Sequence, residues 1–381
     1  MHTNPVLDRL GSYPIAELQE QARAMRTAGL PLIDFSVGDP REPTPAFIPR
    51  SLKDSVPVVS QYPTTSGLPE LRRAVADYVH RRFGVRVDPD RNVLPTAGSK
   101  EAIFSTPLAF VDRDARDAVV WATPGYPIYE RGALLAGAEG HSVTLSGDFV
   151  LRPDQIPDPV WDRASIVWTN YPHNPTGALA GRDDVEAMYR KARATNTWLM
   201  GDECYVDIYE DVAPPSILGV ADDGIEGALS FMSLSKRSGM TGYRSAVVVG
   251  DERAIEALRA LRTSTGTASP EFVQGAAVAA WADDDHVAER RRIFAAKRAI
   301  LRAAFEGLGY QVVASRAGLY LWVKVGDDAA VAARLLQGGV LVSPGRAFGS
   351  GGEGFIRLAL VPTLEESENA VEVLTTCLTG N

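Results

Sequence analysis

Cysteine is scarce: Cys204 and Cys377 are the only two in 381 residues. That excludes a disulfide scaffold and a cysteine-rich zinc module. Histidine is sparse too, at positions 2, 80, 141, 173 and 286, and none falls in an HExxH or similar spacing. No metal site is expected. No apolar run approaches the roughly 18 residues of a membrane span, and no basic-apolar-small leader opens the chain. Positive charge is in deficit, with Lys+Arg 39 against Asp+Glu 48 and a formal charge of -9. Such a surface repels phosphate backbones, so a nucleic-acid partner is not expected. A cytoplasmic protein without membrane contact is the expectation. Gly-x-Ser-x-Gly, a P-loop and a GxGxxG after a strand are all missing. Hydrolase, ATPase and dehydrogenase readings lose their usual supports. The Gly-rich stretch Gly349–Gly354 precedes a strand and reads as a loop.

What is present is ordinary globular composition, 45% hydrophobic and 23% charged. The length suggests two to three domains at about 150 residues each. The chain opens as an arm or extended segment up to Ser12. Pro14 then starts a helix that carries Ile15, Leu18, Ala22 and Met25 and ends at Gly29. Leu32–Ser36 reads as a strand, and the Pro-rich stretch Glu42–Pro49 as irregular. A helix is predicted over Pro69–Phe83, with Leu71, Val75, Tyr78 and Val79 on one face and Gly84 as its stop. Short apolar strands near Val93, Val119–Trp121, Ile166–Trp168, Trp198–Met200, Leu229–Met232 and Ala246–Val249 alternate with helices. That alternation predicts an α/β fold whose mostly parallel sheet lies between helices. Beyond Trp281 the run Asp283-Asp284-Asp285 can cap a long basic helix. Strands near Val312, Leu319–Val323, Val340–Val342 and Phe355–Leu360 follow, then a last helix over Leu364–Leu378. This reads as a smaller α+β domain. The expected division is 1–45 as arm and part of the small domain, 46–281 as the large domain, and 282–381 as the small C-terminal domain.

One constellation carries chemistry. It comprises Asn174 in Tyr-Pro-His-Asn-Pro-Thr-Gly, Asp202 in Gly-Asp-Glu-Cys-Tyr, Lys236 in Ser-Leu-Ser-Lys-Arg, Arg244 in Thr-Gly-Tyr-Arg and Arg357 in Phe-Ile-Arg. All but the last sit in loops near predicted strand ends, where open α/β sheets bind ligands. Pyridoxal 5'-phosphate asks for this set. It needs an amine for a Schiff base, a carboxylate for the pyridine nitrogen, and a donor for the phenolic oxygen. Its phosphate needs hydroxyls, amides and an Arg, and a substrate carboxylate favours a second, bidentate Arg.

On these motifs the chain resembles the class I/II aminotransferases, pyridoxal-phosphate enzymes of fold type I, from Val37-Gly38-Asp39-Pro40 to Phe355-Ile356-Arg357. The resemblance implies that Lys236 is the Schiff-base lysine and proton shuttle. It implies that Asp202 faces the pyridine nitrogen, and that Tyr205 and Asn174 face the phenolic oxygen. Ser233, Ser235 and Arg244 are implied phosphate anchors, with Gly98, Ser99 and Lys100 as a backbone cradle. Tyr126 would stack on the ring, and Tyr62 would reach the phosphate of a neighbouring subunit in a homodimer. Arg357 would receive the α-carboxylate, with the Gly38 amide close by.

Blander readings stand beside these. Asp202 could be a helix cap, Arg244 and Arg357 surface ion pairs, Tyr126 and Tyr62 plain packing, and Lys100 a solvated first-turn residue. His173 is more often a loop residue than a ligand, and Cys204 reads as simply buried.

A finer resemblance comes from Arg237 after the lysine, from Gly266–Gln274 and from Ala359–Glu365. These resemble the succinyldiaminopimelate aminotransferases of lysine biosynthesis, which use glutamate and 2-oxoglutarate as the partner pair. Arg41, Lys100 and Arg237 are candidates for a distal carboxylate. An aspartate or broad-range aminotransferase is the alternative, and a β-lyase keeps the same cofactor shell. A cofactor-sensing transcription regulator is disfavoured by the acidic charge and by motifs that begin at Val37.

Overall fold

The computed structural model describes residues 2–10, 16–220 and 224–379, apart from the side chains of Glu17 and Leu18. The expected helix start at Pro14 and Ile15, and the Leu18 side chain, lie outside the described residues. Seven strands form the main sheet. In spatial order they are Val93–Thr96, Ala246–Gly250, Ala228–Ser233, Trp198–Asp202, Ala164–Asn170, Ala118–Thr123 and Glu139–Thr144. The last five run parallel, while Ala246–Gly250 is antiparallel to both of its neighbours.

Side chains alternate across a strand, so each strand feeds two cores. Val119, Ile166 and Leu229 pack with Ile255 and Leu258 of the helix Glu252–Thr265. Val120, Val167 and Leu199 pack on the other face with Val185 and Met188 of the helix Arg182–Ala194. Burial on both faces explains the unbroken apolar runs, each such side chain contributing about 1.5–3 kcal/mol. The helix Pro69–Phe83 has the predicted bounds, and Gly84 ends it in the left-handed conformation.

A smaller antiparallel sheet orders Ser343–Pro344, Phe355–Ala359, Tyr320–Lys324 and Gln311–Val313. Its core joins Phe294, Leu301 and Phe305 of the long helix Asp285–Gly307 to Leu374 and Leu378 of the last helix, Leu364–Leu378. Ile33–Asp34 pairs in parallel with Val340–Leu341. The N-terminal segment is thereby tied to the smaller layer.

The structure differs from the sequence reading at three places. Residues Val6–Arg9 make a helical turn where an arm or extended segment is expected. The Pro-rich stretch runs into a helix, Phe47–Asp54, because Pro49 falls in its first turn, where a missing N–H costs little. Glu139–Thr144 is an edge strand with only Val143 buried, so it has no apolar run to reveal it.

The parallel strands Ala164–Asn170, Trp198–Asp202 and Ala228–Ser233 all end on one edge. The loop after Asn170 is docked there on backbone of the smaller layer. Ser315 N donates to Thr176 O (2.8 Å), and Arg316 N and Ala317 N donate to Gly177 O (2.8 and 3.1 Å). Gly177 has φ +67°, and a Cβ there would lie 2.9 Å from Ala317 O, Ser315 Cα and Tyr320 O. Gly177→Ala therefore combines a left-handed penalty with overpacking. We expect a loss of about 2–4 kcal/mol in urea unfolding, and a loss below about 0.5 kcal/mol would contradict this docking.

Candidate active site

The carboxyl edge of the sheet, the N-terminal segment and the smaller layer enclose a cavity of about 510 Å³. It brings together Gly38, Ser99, Lys100, Tyr126, Asn174, Asp202, Tyr205, Ser233, Ser235, Lys236, Arg244 and Arg357. Tyr62 stands outside it with its side chain fully exposed.

Lys236 sits on the short helix Leu234–Arg237, directly after the strand Ala228–Ser233. Ser233 Oγ caps that turn by accepting from Ser235 N (3.1 Å). Lys236 Nζ donates to Gly38 O. Burial lowers the amine to about 8 against an opposing pull from Asp39, and the positive charges of Arg244 and Arg357 lower it further.

Asp202 ends its strand, is 3% exposed, and faces the same cavity. Tyr129 Oη donates to its Oδ2 (2.8 Å) and Cys204 N to its Oδ1 (3.3 Å). Burial raises its pKa, and among the described residues no cation forms an ion pair with it. A buried carboxylate of this kind is suited to a cationic N–H from a ligand.

Asn174 is oriented from both sides. Its N–H donates to Asn170 Oδ1 (2.8 Å), and its Oδ1 accepts from Arg357 Nη1 (2.9 Å). The Arg357 guanidinium lies 4.5 Å from the Tyr320 ring centroid and 4.4 Å from that of Phe348, and it also donates to Ser36 O. Tyr205 Oη and Tyr320 Oη are hydrogen-bonded at 2.8 Å. Gly38 leaves room for that pair, since a Cβ there would lie 2.7 Å from Tyr320 Oη. At the other end Arg244, with φ +55°, stacks against Gly98, with φ +102°. A Cβ on Gly98 would overlap the Arg244 guanidinium.

Several of these groups are silent in the sequence. Tyr129, Asn170, Tyr320 and Phe348 belong to no motif. Tyr320 falls inside a predicted strand and Phe348 in no predicted element, and only the folded register puts them around Arg357. One candidate is corrected: Arg237 points away from the cavity and is 3% exposed. His173, read as a loop residue, is buried, bonded to Thr176 Oγ1 through Nδ1 (2.8 Å), and held near a pKa of 3 by desolvation, so it is part of the loop scaffold.

The cavity fits pyridoxal phosphate by its donor set. It holds the buried amine of Lys236, a buried carboxylate that no cation pairs with among the described residues, and a guanidinium over Gly98, with Ser99 and Ser235 on the same cavity wall. A second guanidinium lies opposite, on Phe348 and Tyr320.

Comparison with known proteins agrees. The pattern of the class I and II aminotransferases matches residues 31–374, and the chain belongs to that family of pyridoxal-phosphate-dependent enzymes. The LL-diaminopimelate aminotransferase of Dehalococcoides mccartyi is 35% identical over 377 residues, 97% of each chain. An aminotransferase from Neisseria meningitidis superposes with a TM-score of 0.91 at 33% identity, covering 99% of this chain and 100% of that one. A probable N-succinyldiaminopimelate aminotransferase from Thermus thermophilus superposes at 0.89 and 30% identity, covering 96% and 100%.

The Lys236 shift has a measurable consequence in the cofactor-free protein. Below pH 8 the amine is charged in both states, and the folded state bears the cost of desolvating it. Between pH 8 and about 10.4 the unfolded chain keeps a proton that the folded chain has shed, so stability rises with pH. Lys236→Met removes this cost. The variant should be more stable than wild type at about pH 7, on the order of 2 kcal/mol, with the gap closing above about pH 10. Urea melts across that range check it, and a gap independent of pH would refute the assignment.

Proposed function

We propose that the chain is an N-succinyldiaminopimelate aminotransferase acting with glutamate and 2-oxoglutarate. One observation carries the reading: the cavity continues beyond Lys236. A second recess of about 430 Å³ adjoins it at Gln19 and Val37 and is lined by Arg23, Arg26 and Arg41 against Asp34 and Asp39. Arg26 and Arg41 pair with Asp34 (2.6 Å) and Glu366 (2.7 Å) while partly exposed. Such pairs are weak, so a substrate carboxylate can replace one partner. In this reading a long acceptor places its α-carboxylate on Arg357 and its far carboxylate in this recess. The Thermus relative supports the same reading. The LL-diaminopimelate relatives favour a second reading, in which the distal end is a free ammonium. Three of the side chains that line the recess are guanidiniums, which favours a carboxylate there.

In this reading Lys236 Nζ takes and returns the proton of the substrate α-carbon, with Gly38 O accepting from the amine. Pyridoxal phosphate, when bound, supplies the electron sink for that proton transfer. Asp202 would hold the proton on the cofactor's pyridine nitrogen, with Tyr129 and the Cys204 amide keeping the carboxylate in place. Tyr205 and Asn174 would donate to its phenolic oxygen, and Tyr126 would face its ring. Ser99, Ser233, Ser235, Arg244 and the backbone around Gly98 and Lys100 hold the phosphate. Arg357 and the Gly38 amide receive the α-carboxylate.

The exposed apolar segment with Val58, Val59 and Tyr62, at 104%, 70% and 100% exposure, supports a homodimer in which Tyr62 reaches the other subunit's cavity. We assign 1–45, 46–281 and 282–381 as arm, large domain and small domain. A cytoplasmic place follows from the biosynthetic reading, and no described helix is long and apolar enough to cross a membrane.

With 2-oxoglutarate as acceptor, N-succinyl-diaminopimelate should be used in preference to LL-diaminopimelate. In the opposite direction kcat/KM for the succinylated oxopimelate should exceed that for oxaloacetate by at least about tenfold. Faster turnover of LL-diaminopimelate, or of oxaloacetate, replaces this substrate assignment by the corresponding rival.

The two arginines should separate by effect. Arg357→Ala should keep the cofactor but cost about 2–5 kcal/mol in kcat/KM for every amino acid, sparing amines without a carboxylate. Arg244→Ala should instead raise the cofactor dissociation constant in equilibrium dialysis. Equal losses for amines and amino acids in Arg357→Ala would refute the carboxylate role.

A further inference from the structure

Arg237 follows Lys236 but has its own buried site on the reverse side of the turn. Nε donates to Asp207 Oδ2 (2.8 Å) and Nη1 to Ala280 O (2.6 Å). Nη2 donates to Asp283 O (3.2 Å) and Asp284 Oδ1 (2.6 Å). The guanidinium carbon lies 4.9 Å from the Tyr78 ring centroid and 5.2 Å from that of Trp281. Asp207 is gripped in turn, accepting from Tyr78 Oη (2.8 Å) and Arg82 Nε (3.0 Å).

These partners connect particular pieces of chain. Asp207 lies on the loop that carries Asp202 and Tyr205. Asp283 and Asp284 precede the long helix Asp285–Gly307, which packs into the core of the smaller layer. The next two residues are held from the same helix. His286 Nε2 bonds Ser238 Oγ (2.8 Å), with its Nδ1 on Asp283 Oδ1 (2.5 Å). Gly239, with φ +66°, lies under Arg290, whose Nη1 would be 2.9 Å from a Cβ there. Thr44 Oγ1 donates to Gly239 O (2.7 Å), which brings in the N-terminal segment that also carries Gly38. Residues 237 and 238 are thus bonded to the start of one helix, and Gly239 packs under its Arg290, immediately after the cavity lysine.

We propose that Arg237 is a positioning residue: through Asp207 and Asp284 it fixes Lys236 against the Asp202–Tyr205 loop and couples that spacing to the long helix of the smaller layer. Arg237 touches neither cavity nor substrate, so its effect passes through the backbone of the Leu234–Arg237 turn. A planar fork that bonds two carboxylates and two carbonyls while lying against two rings cannot be matched by a point charge. The inference assumes only that Lys236 is the reactive amine, and it holds whichever acceptor the enzyme uses.

The test uses Arg237→Gln and Arg237→Lys in the full chain. Two readouts are taken. The first is kcat and KM of the holoenzyme with its best donor and acceptor. The second is the pH midpoint for acylation of Lys236 in the cofactor-stripped chain, read by peptide mass spectrometry. Wild type should titrate near 8. In Arg237→Gln the loosened turn should let the amine reach water. The midpoint should then rise by about one pH unit, and kcat should fall about tenfold with both KM values within about twofold. Arg237→Lys should recover part of kcat. A folded Arg237→Gln with wild-type kcat, or with reduced kcat and an unmoved midpoint, overturns the proposal. Should Arg237→Gln fail to fold, Asp284→Asn, whose side chain is 55% exposed, carries the test. A smaller shift in the same directions supports the coupling, and wild-type values overturn it. Failure of the reading of Lys236 itself would look different, since Lys236→Ala would then retain turnover.

Discussion

A lysine amine kept close to neutrality inside the protein is the constraint on which the site depends. Lys236 is desolvated, and its immediate partner is a carbonyl, Gly38 O, which carries no full charge. Arg244 and Arg357 add to the positive potential around it. A cavity with Lys236, Lys100, Arg244 and Arg357 on its walls and Asp202 as the carboxylate between them is short of negative charge. In the proposed reading a phosphate and a substrate carboxylate supply it. The amine's pKa is lowered mainly by burial, with Arg244 and Arg357 adding to the effect.

The sheet sets the distances. Asn170, Asp202 and Ser233 terminate three adjacent parallel strands, and the loops they open carry Asn174, Tyr205 and Lys236. The antiparallel strand Ala246–Gly250 returns along the sheet just after Arg244, which places that guanidinium over Gly98 at the same edge. The smaller layer provides the other wall, with Arg357 and Tyr320 on paired strands. The wall is joined to the sheet by the backbone contact of Thr176 and Gly177 with residues 315–317, by the bond from Arg357 to Asn174 and by the Tyr205–Tyr320 bond, among others. The substrate end of the cavity is therefore sensitive to any shift between the layers.

The class of fold and the charged members of the site other than Arg357 were legible because they sit at punctuation points: strand ends, glycines and prolines. The two-sided burial that makes each strand an apolar run also made the sheet readable. The edge strand Glu139–Thr144 was not, since one exposed face and one neighbour ask for few apolar residues. Tyr129, Tyr320 and Phe348 were hidden for a different reason. An aromatic that lines a cavity and one that fills a core obey the same pattern, and only tertiary register separates them. Arg237 was visible as an unusual cation beside the lysine. Its direction was not, because its partners lie in segments remote from it in sequence.

That reversal of Arg237 changes how substrate choice can be built. With Arg237 committed to Asp207 and Asp284, the cations left to meet a distal carboxylate are Lys100 at the cavity wall and the arginines of the adjoining recess. Arg23 and Arg26 lie on the helix Ala16–Thr27, and Arg41 on the segment tied to Val361 of the smaller layer. Neither element contributes the lysine, the carboxylate or the phosphate anchors. In the proposed reading the reacting centre belongs mainly to the sheet edge, with Gly38 O as the one N-terminal group on Lys236, and distal recognition belongs to the N-terminal segment. A change of acceptor can then arise from that segment alone, while the groups around Lys236 stay fixed. This separation explains why motifs that define the chemistry so firmly say little about the far end of the substrate.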